Sequence, residues 1–458
     1  MIGLHLAASA LMTASATTTA LTAPLPAKAD VADSVSDWTI SGSVRARIEA
    51  IDGQFRPIAP ERDAMLALRT TVAAEYRKSI LRIGGEIMDS RAYFQKDSSS
   101  AGTTEVNALE PIQAYIGVDL GSSLGAGSNS SVTVGRFTQD IGSRRLVSRQ
   151  AFRNSTNAYA GVKLNWHNAQ HDALVLFWSM PQVRLPLDRA SILDNDVEFD
   201  RQSTALQLYG ASFTKAGVAG GTLEVYAYGL AERDAPSYAT RNRRLITPGL
   251  RLARAPEPNR FDYDVEGIYQ HGRTRSGTSA VDVTDLSVSA YFVHGEVGRS
   301  FAGAWKPRIA IQYDRASGDG KDPGTYTRFD TLYGARRFEY GPTSLYGAIG
   351  RANLNSPGAR LEVAPTKRLD GFIAYRALWL ENSSDSFSST DIRDRSGTSG
   401  SFAGHQIEGR VRFWLKPKAV RIESGFAYLA KGAALRNAPN ATHDRDSRYV
   451  YTDVTFSF

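Results

Sequence analysis

Residues 37–51, with the sequence DWTISGSVRARIEAI, alternate between apolar and polar side chains almost without interruption. The even positions from Trp38 to Ala50 are apolar or glycine, whereas the odd positions between them carry hydroxyl groups or charges, including Arg45, Arg47 and Glu49. A period of two places these sets on opposite faces of a β-strand. One face of this strand is therefore apolar and the other is charged.

The same alternation recurs in residues 64–77, 157–167, 406–415 and 420–428. The segments are about 9 to 15 residues long, which exceeds most globular strands and suffices to cross a bilayer at a tilt. No helical pattern accompanies them, so we expect lipid to cover the apolar face. Because hydrocarbon offers no hydrogen-bond partners, such a sheet has to close on itself. The sequence thus predicts an all-β fold, a transmembrane antiparallel β-barrel of the bacterial outer-membrane type with a polar lumen.

The spacing of the loops predicts the number of strands. Short links alternate with nine long polar stretches, which is typical of outer-membrane barrels and implies about eighteen strands. The range is sixteen to twenty, because residues 343–367 can hold one strand or two. The long stretches 315–342 and 381–404 are candidate plugs or gates.

The two ends of the chain support export to the outer membrane. Residues 1–29 are rich in apolar and small side chains and end in Ala27-Lys28-Ala29, which predicts a signal peptide. Residues 30–458 would then form a single barrel. The last strand ends in Phe458, and the chain contains no cysteine. These features favour localisation in the bacterial outer membrane.

The charges point to an anion channel. The chain has 54 Lys and Arg against 47 Asp and Glu, and 43 of the basic residues are Arg. Alternation turns a set of cations inward: Arg45, Arg47, Arg69, Arg77, Arg82, Lys163, Arg251, Arg308, Arg410, Arg412 and Arg421. It also turns acids inward: Glu49, Glu75, Glu86, Glu224, Asp262, Asp264, Glu266, Asp314, Glu408 and Glu423. Single arginines can brace the wall by pairing with these acids, but a surplus of fixed cations concentrates anions in the pore.

Several short motifs resemble the alginate export family of outer-membrane porins. They are Gly135-Arg136-Phe137, followed by residues 144–147 and 151–156, then residues 316–319 with 329–333, and more loosely residues 365–367, 377–380, 404–408 and 425–428. The resemblance implies an eighteen-stranded monomeric barrel with an Arg-rich constriction that passes an acidic polysaccharide.

The resemblance also suggests roles for individual residues. Arg136, Arg145 and Arg153 would be loop or rim cations near the constriction, and Asp319 would order a long loop. Strict alternation from Val132 turns Arg136 toward lipid, so its inward placement requires a bulge or a position beyond the hydrocarbon. A histidine expected from the resemblance is replaced at Arg336.

Four functions compete. The first is an anion-selective channel for an alginate-like, uronate-containing polysaccharide or oligosaccharide, and the alternative in the same class is a porin for small anionic nutrients such as organic or sugar acids. An outer-membrane enzyme and a plugged structural barrel are the others. We expect no enzymatic activity, no cofactor, no metal ligand set and no nucleic-acid partner, with ordered calcium at residues 194–200 or 391–394 left open. The expected partners are outer-membrane lipid and the anionic saccharide, with periplasmic export components left open.

Overall fold

A computed structural model describes residues 37–236 and 238–458. The predicted signal peptide, residues 1–29, lies outside the described residues. Within the described ranges, eighteen long strands and one two-residue strand belong to a single sheet. The strands are β1 (Trp38–Asp52), β2 (Arg62–Lys78), β3 (Leu81–Tyr93), β4 (Asn107–Gly121), β5 (Ser128–Phe137), β6 (Tyr159–Asn168), β7 (Ala173–Pro181), β8 (Leu206–Val218), β9 (Gly221–Glu232), β10 (Arg244–Arg254), β11 (Phe261–Thr274), β12 (Leu286–Ser300), β13 (Arg308–Ala316), β14 (Thr325–Tyr326), β15 (Leu354–Thr366), β16 (Leu369–Trp379), β17 (Phe402–Lys416), β18 (Val420–Lys431) and β19 (Ser447–Ser457).

Helical structure is confined to short connecting segments. These are α1 (Arg189–Asp194), α2 (Arg337–Tyr340), α3 (Ala433–Arg436) and a single 3₁₀ turn at Ser122–Leu124. Across residues 37–236 and 238–458, no helix has the length and apolar character needed to span a membrane.

The long strands form a closed antiparallel ring. Each pairs with its neighbours in chain order, β13 pairs with β15, and β1 pairs with both β2 and β19. The two-residue β14 adds to β12 in parallel and stands apart from the ring. Residues 343–367 hold one strand of the ring, β15. The predicted eighteen-stranded antiparallel barrel is thus confirmed.

Alternation along β1 matches the predicted inside and outside of the barrel. Val44 and Ile48 are 45% and 65% exposed, whereas Arg45, Arg47 and Glu49 are almost completely buried. The exposed apolar side chains form the surface that contacts lipid, because backbone polar groups are already satisfied within the closed sheet. The charged side chains face the lumen.

The last residue helps to close the ring. The backbone N–H of Phe458 donates to the carbonyl of Gly42 over 3.1 Å, and the N–H of Gly42 donates to the carbonyl of Phe458 over 3.0 Å. A Cβ added at Gly42 would lie 2.6 Å from the backbone carbonyl oxygen of Thr71, so the close pairing of β1 with β2 at this point requires a glycine.

The connections differ between the two ends of the barrel. One end has tight links such as residues 79–80, 219–220 and 367–368, whereas the other end carries nine long loops. The long loops fold into the barrel and pack an apolar core there. Buried side chains from five of these loops belong to it: Phe55, Phe152, Tyr340, Phe387 and Leu435.

Two of these loops matter most for the lumen. We call residues 138–158, between β5 and β6, the first inner loop, and residues 317–353, between β13 and β15, the second inner loop. The predicted plug at 315–342 falls largely in the second inner loop. The inward course of the first inner loop was not predicted from the sequence.

Candidate functional site: the cation-lined lumen

The wall formed by β1 and β2 presents two guanidinium groups to the first inner loop. Arg45 lies directly across from Arg69 in the register of the two strands. Arg45 donates to the carbonyls of Ala151 and Arg153 over 3.1 and 3.0 Å, and to Oδ1 of Asn154 over 3.1 Å. Arg69 donates to the same two carbonyls over 3.0 and 3.1 Å. Both cations therefore hold the loop through neutral acceptors.

Arg47, two residues further along β1, is neutralised instead. It lies across from Asp453 in the ring, and its guanidinium is 3.0 Å from that carboxylate and 3.6 Å from Glu49. It also donates to the carbonyl of Phe152 over 2.7 Å and covers the ring of that residue at 3.8 Å. Glu49 also accepts a hydrogen bond from the Tyr449 hydroxyl over 2.9 Å. Because Arg421 also pairs with Asp453, two cations and two carboxylates balance, and the cluster anchors the loop without adding net charge.

Several loop arginines have only neutral hydrogen-bond acceptors or none among the described residues, and four of them also feel one another's charge: Arg153, Arg184, Arg336 and Arg56. Arg56 donates to the carbonyl of Leu345 over 3.0 Å, and Arg184 donates to Oδ1 of Asn157 over 2.8 Å. Arg336 donates to the Ser389 hydroxyl. Within the described residues, the Arg153 side chain makes no hydrogen bond.

The lumen therefore contains a set of uncompensated cations, which we call the cation track: Arg45, Arg69, Arg153, Arg336, Arg56 and Arg184. Across the described ranges, none of them has a carboxylate oxygen within 4.0 Å. Burial, together with the like charges of Arg153, Arg56 and Arg351, lowers the pKa of Arg336 to about 9. Burial, followed by the charge of Arg184, lowers the pKa of Arg153 to about 10. Both remain cations at neutral pH, in surroundings that an anion would make more favourable.

The opposite wall is neutralised by ion pairs. The three acids of β11 that form a ladder in the sequence are covered by cations, because Asp262 binds Arg308 and Asp264 binds Arg251 over 2.8 Å. Asp264 and Glu266 also bind Arg145 from the first inner loop. These pairs neutralise the three acids that alternation turns inward on β11.

Most other predicted pore cations also have partners in the lumen. Arg77 and Arg82 share Glu75 and Asp119, Arg410 and Arg412 share the single carboxylate of Asp370, and Arg421 pairs with Asp453. Lys163 lies 4.9 Å from the centre of the Phe137 ring.

Arg136 differs from the sequence prediction. Its register partners are Ala114 and Ala160, on the same outer face as the exposed Val134 and Val162. Its guanidinium binds the buried carboxylate of Glu110 rather than facing the lumen. The pore-lining assignment of Arg136 is thereby corrected, because strict alternation along β5 persists to this residue.

Asp319 lies where the second inner loop meets residues 380–401. Its carboxylate accepts from the backbone N–H of Thr327 over 3.0 Å, and its own N–H donates to Asp385 over 2.9 Å. Burial raises the pKa of Asp319 above its usual value. Its backbone N–H joins the second inner loop to residues 380–401, whereas its side chain bonds within the second inner loop. Its role in ordering that loop stays a prediction, and it does not belong to the cation track.

Alternation alone could not locate Arg56, Arg184 and Arg336, because all three lie in loops. The signal available for Arg336 was its position in an Arg-Arg pair where the resemblance implied a histidine. In the part of the chain that the structure describes, no group of three His, Asp or Glu side chains gathers in a way that could hold a metal ion.

Comparison with known proteins agrees with this architecture. A family model described as alginate export matches residues 37–448. No curated protein matches the chain. Solved structures with the same fold include Acinetobacter baumannii OccAB1, with 12% identity, a TM-score of 0.55 and coverage of 93% of this chain and 97% of that one. Pseudomonas aeruginosa OccK2 (OpdF) in complex with glucuronate shows 9% identity, a TM-score of 0.55 and coverage of 92% and 98%.

Proposed function

The chain belongs to the alginate export family, and from this premise we propose that it is an anion-selective channel for an acidic, uronate-containing polysaccharide or oligosaccharide. Its family and fold are those of outer-membrane channels, which are not enzymes, and they place it in the bacterial outer membrane. The observation that carries the proposal is the cation track, in which six buried or half-buried arginines lack a carboxylate partner among the described residues.

The arrangement of these cations suits a ligand with several charges. They come from β1, β2, both inner loops and the loops at residues 53–61 and 182–205. A small monovalent anion can neutralise one or two of them, whereas a chain of uronates can contact several in succession. Guanidinium groups offer forked hydrogen bonds to carboxylates, and their neutral neighbours keep any one contact from being permanent.

The outer surface of the barrel indicates what surrounds the proposed channel. The exposed apolar faces of the strands contact outer-membrane lipid, and a ring closed by β1 and β19 needs no second copy to satisfy its edges. We therefore propose a monomer. Periplasmic export components belong to the proposal only if the flux is outward.

A second candidate is a porin for small anionic nutrients such as sugar acids. The observation that favours it is the likeness of fold to a porin solved with glucuronate, a single sugar acid. This function would need only one or two cations of the track at a time.

Planar-bilayer recording of the refolded protein tests both candidates. We expect chloride over potassium selectivity under a salt gradient and a concentration-dependent block by uronate oligomers. In Arg153→Gln/Arg336→Gln, block should weaken by about tenfold for each lost charge-assisted contact. The control is Arg62→Gln/Arg260→Gln, which removes the same charge from exposed ion pairs outside the track.

The outcomes separate the candidates. Block of equal affinity by glucuronate and by its oligomers would favour the small-anion porin. Selectivity and block unchanged in Arg153→Gln/Arg336→Gln would contradict any role for the track.

A further inference from the structure

The two inner loops are joined by backbone hydrogen bonds inside the barrel. The N–H of Tyr333 donates to the carbonyl of Leu146 over 2.9 Å, and the Tyr333 carbonyl accepts from the N–H of Ser148 over 3.2 Å. The N–H of Ala335 donates to the carbonyl of Arg144 over 2.9 Å. We call this contact between residues 144–150 and 333–335 the clasp.

Side chains close the clasp on both sides. Gln150 donates through Nε2 to the carbonyl of Gly334 over 2.5 Å, and Asn157 donates to the carbonyl of Tyr333 over 3.0 Å. Arg351, from the second inner loop, donates to the carbonyl of Arg145 over 3.2 Å. Two loops almost 200 residues apart in sequence are therefore held by direct bonds.

The approach of the two backbones depends on one glycine. A Cβ added at Gly334 would lie 1.7 Å from the carbonyl oxygen of Arg145 and 2.4 Å from its carbonyl carbon. Neither atom is the end of a flexible side chain, so any larger residue has to push the loops apart.

Arg145 ties the clasp to the barrel wall. Its guanidinium binds Glu266 and, over 3.1 Å, Asp264, both on β11. It also binds Glu339 of α2 over 2.6 Å, and Glu339 in turn binds Arg351. With three carboxylates around it, Arg145 has no free charge to offer a passing anion. Its ion pairs instead hold the two inner loops against β11.

Two members of the cation track follow the clasp closely in sequence. Arg153 belongs to the first inner loop, near Phe152, whose carbonyl is bound by Arg47 of the wall. Arg336 follows Gly334 by two residues in the second inner loop. The clasp therefore joins the two loops that carry these guanidinium groups, and the like charge of Arg153 acts on Arg336.

We propose that the clasp sets the cross-section of the pore and the spacing of Arg153 and Arg336, and that Arg145 is a positioning residue that holds it against β11. The part that concerns the spacing of the cations rests on the proposed function. The part that concerns the cross-section does not.

The test uses Gly334→Ala, which changes no charge, with Gly320→Ala in the same loop as the matched control. A Cβ at Gly320 would have its nearest neighbour at 3.8 Å, an ordinary contact. In potassium chloride, we expect Gly334→Ala to raise the single-channel conductance by about twofold, because conduction depends on the width of the constriction. Gly320→Ala should conduct like the wild type.

Hydrogen exchange on the whole protein gives a readout that a loss of barrel stability would not imitate. Opening of the clasp should speed exchange in residues 138–158 and 317–353 together, while the barrel strands stay protected. Arg145→Lys keeps one positive charge but not the forked geometry, and it should shift conductance and exchange in the same direction.

The results for Gly334→Ala and Gln150→Ala each support or overturn the proposed role of the clasp. Unchanged conductance and exchange in a folded Gly334→Ala barrel would overturn the proposal. If that variant does not fold, Gln150→Ala removes one bond of the clasp without a backbone collision, and wild-type behaviour there would overturn the proposal equally. Raised conductance in Gly334→Ala, together with no uronate block of the wild type, would support the clasp and refute the polysaccharide function.

Discussion

At the scale of single residues, arginine has two distinct uses in this lumen. Arg47 is enclosed by Asp453 and Glu49, so its charge serves the structure, whereas Arg153 has no carboxylate partner within the described residues. In the sequence, Arg47 is an ordinary inward residue of a strand and Arg153 is an ordinary loop residue. What separates them is the set of neighbours that the barrel register supplies.

The first residue-scale prediction concerns Arg47. In Arg47→Met, among the described residues, Glu49 stays buried without any cation and Asp453 keeps only Arg421, at 3.4 Å, so we expect the free energy of unfolding to fall by about 3–5 kcal/mol. Arg412→Met is the control, because Asp370 keeps its bond to Arg410 there. Urea unfolding of the refolded barrels measures both. Equal losses of unfolding free energy in Arg47→Met and Arg412→Met would contradict the structural role assigned to Arg47.

Arg45, Arg47 and Arg145 show how much of the site can be predicted from the sequence. Alternation placed Arg45 and Arg47 in the lumen, because a period of two depends only on local geometry. It could not show that Arg145 meets Glu266, since these residues are brought together by a loop that crosses the barrel. Nor could a short motif outweigh the alternation that turns Arg136 outward.

At the scale of elements, the strands were predictable and the courses of the loops were not. Strand pairing follows chain order, so lengths and spacing suffice to predict the ring. The loops are fixed by long-range contacts such as those of Asp200, in residues 182–205. Its carboxylate accepts from Asn107 over 2.6 Å and from the N–H of Leu185 over 3.1 Å, and its own N–H donates to Glu110.

That contact predicts a pH dependence of loop docking. Burial, with the charge of Glu110 added, raises the pKa of Asp200 to about 7, above the value of about 3.9 expected in an unfolded chain. The docked loop therefore holds a proton that the released loop loses between these values. Docking should be strongest below about pH 4 and weaken as the pH rises to about 7, by at most about 1.4 kcal/mol per pH unit.

Hydrogen exchange of residues 182–205 at pH 5 and pH 8, corrected for intrinsic rates, checks this. We expect faster exchange at pH 8 in the wild type and little difference in Asp200→Asn, because the amide oxygen can still accept both bonds. An equal pH response in Asp200→Asn would show that another group controls the loop.

At the scale of the whole molecule, the barrel separates its charges. The wall around β11 is neutral because Arg145, Arg251 and Arg308 cover its acids, while the β1–β2 wall and the inner loops carry the cation track. The described lumen thus combines a neutralised wall at β11 with unpaired arginines elsewhere. An anion that enters, as we propose, would meet the excess positive charge away from β11.

This asymmetry leads to the last prediction, which concerns ionic strength. The Debye length shortens from about 10 Å at 0.1 M salt to about 3 Å at 1 M, so attraction by the track should weaken strongly over this range. A uronate oligomer that contacts several cations loses more binding free energy than glucuronate, which contacts one or two. We therefore expect the affinity of oligomer block to fall more steeply with the logarithm of salt concentration than that of monomer block. Parallel slopes would mean that an oligomer engages no more of the track than a monomer does, and would favour the small-anion porin.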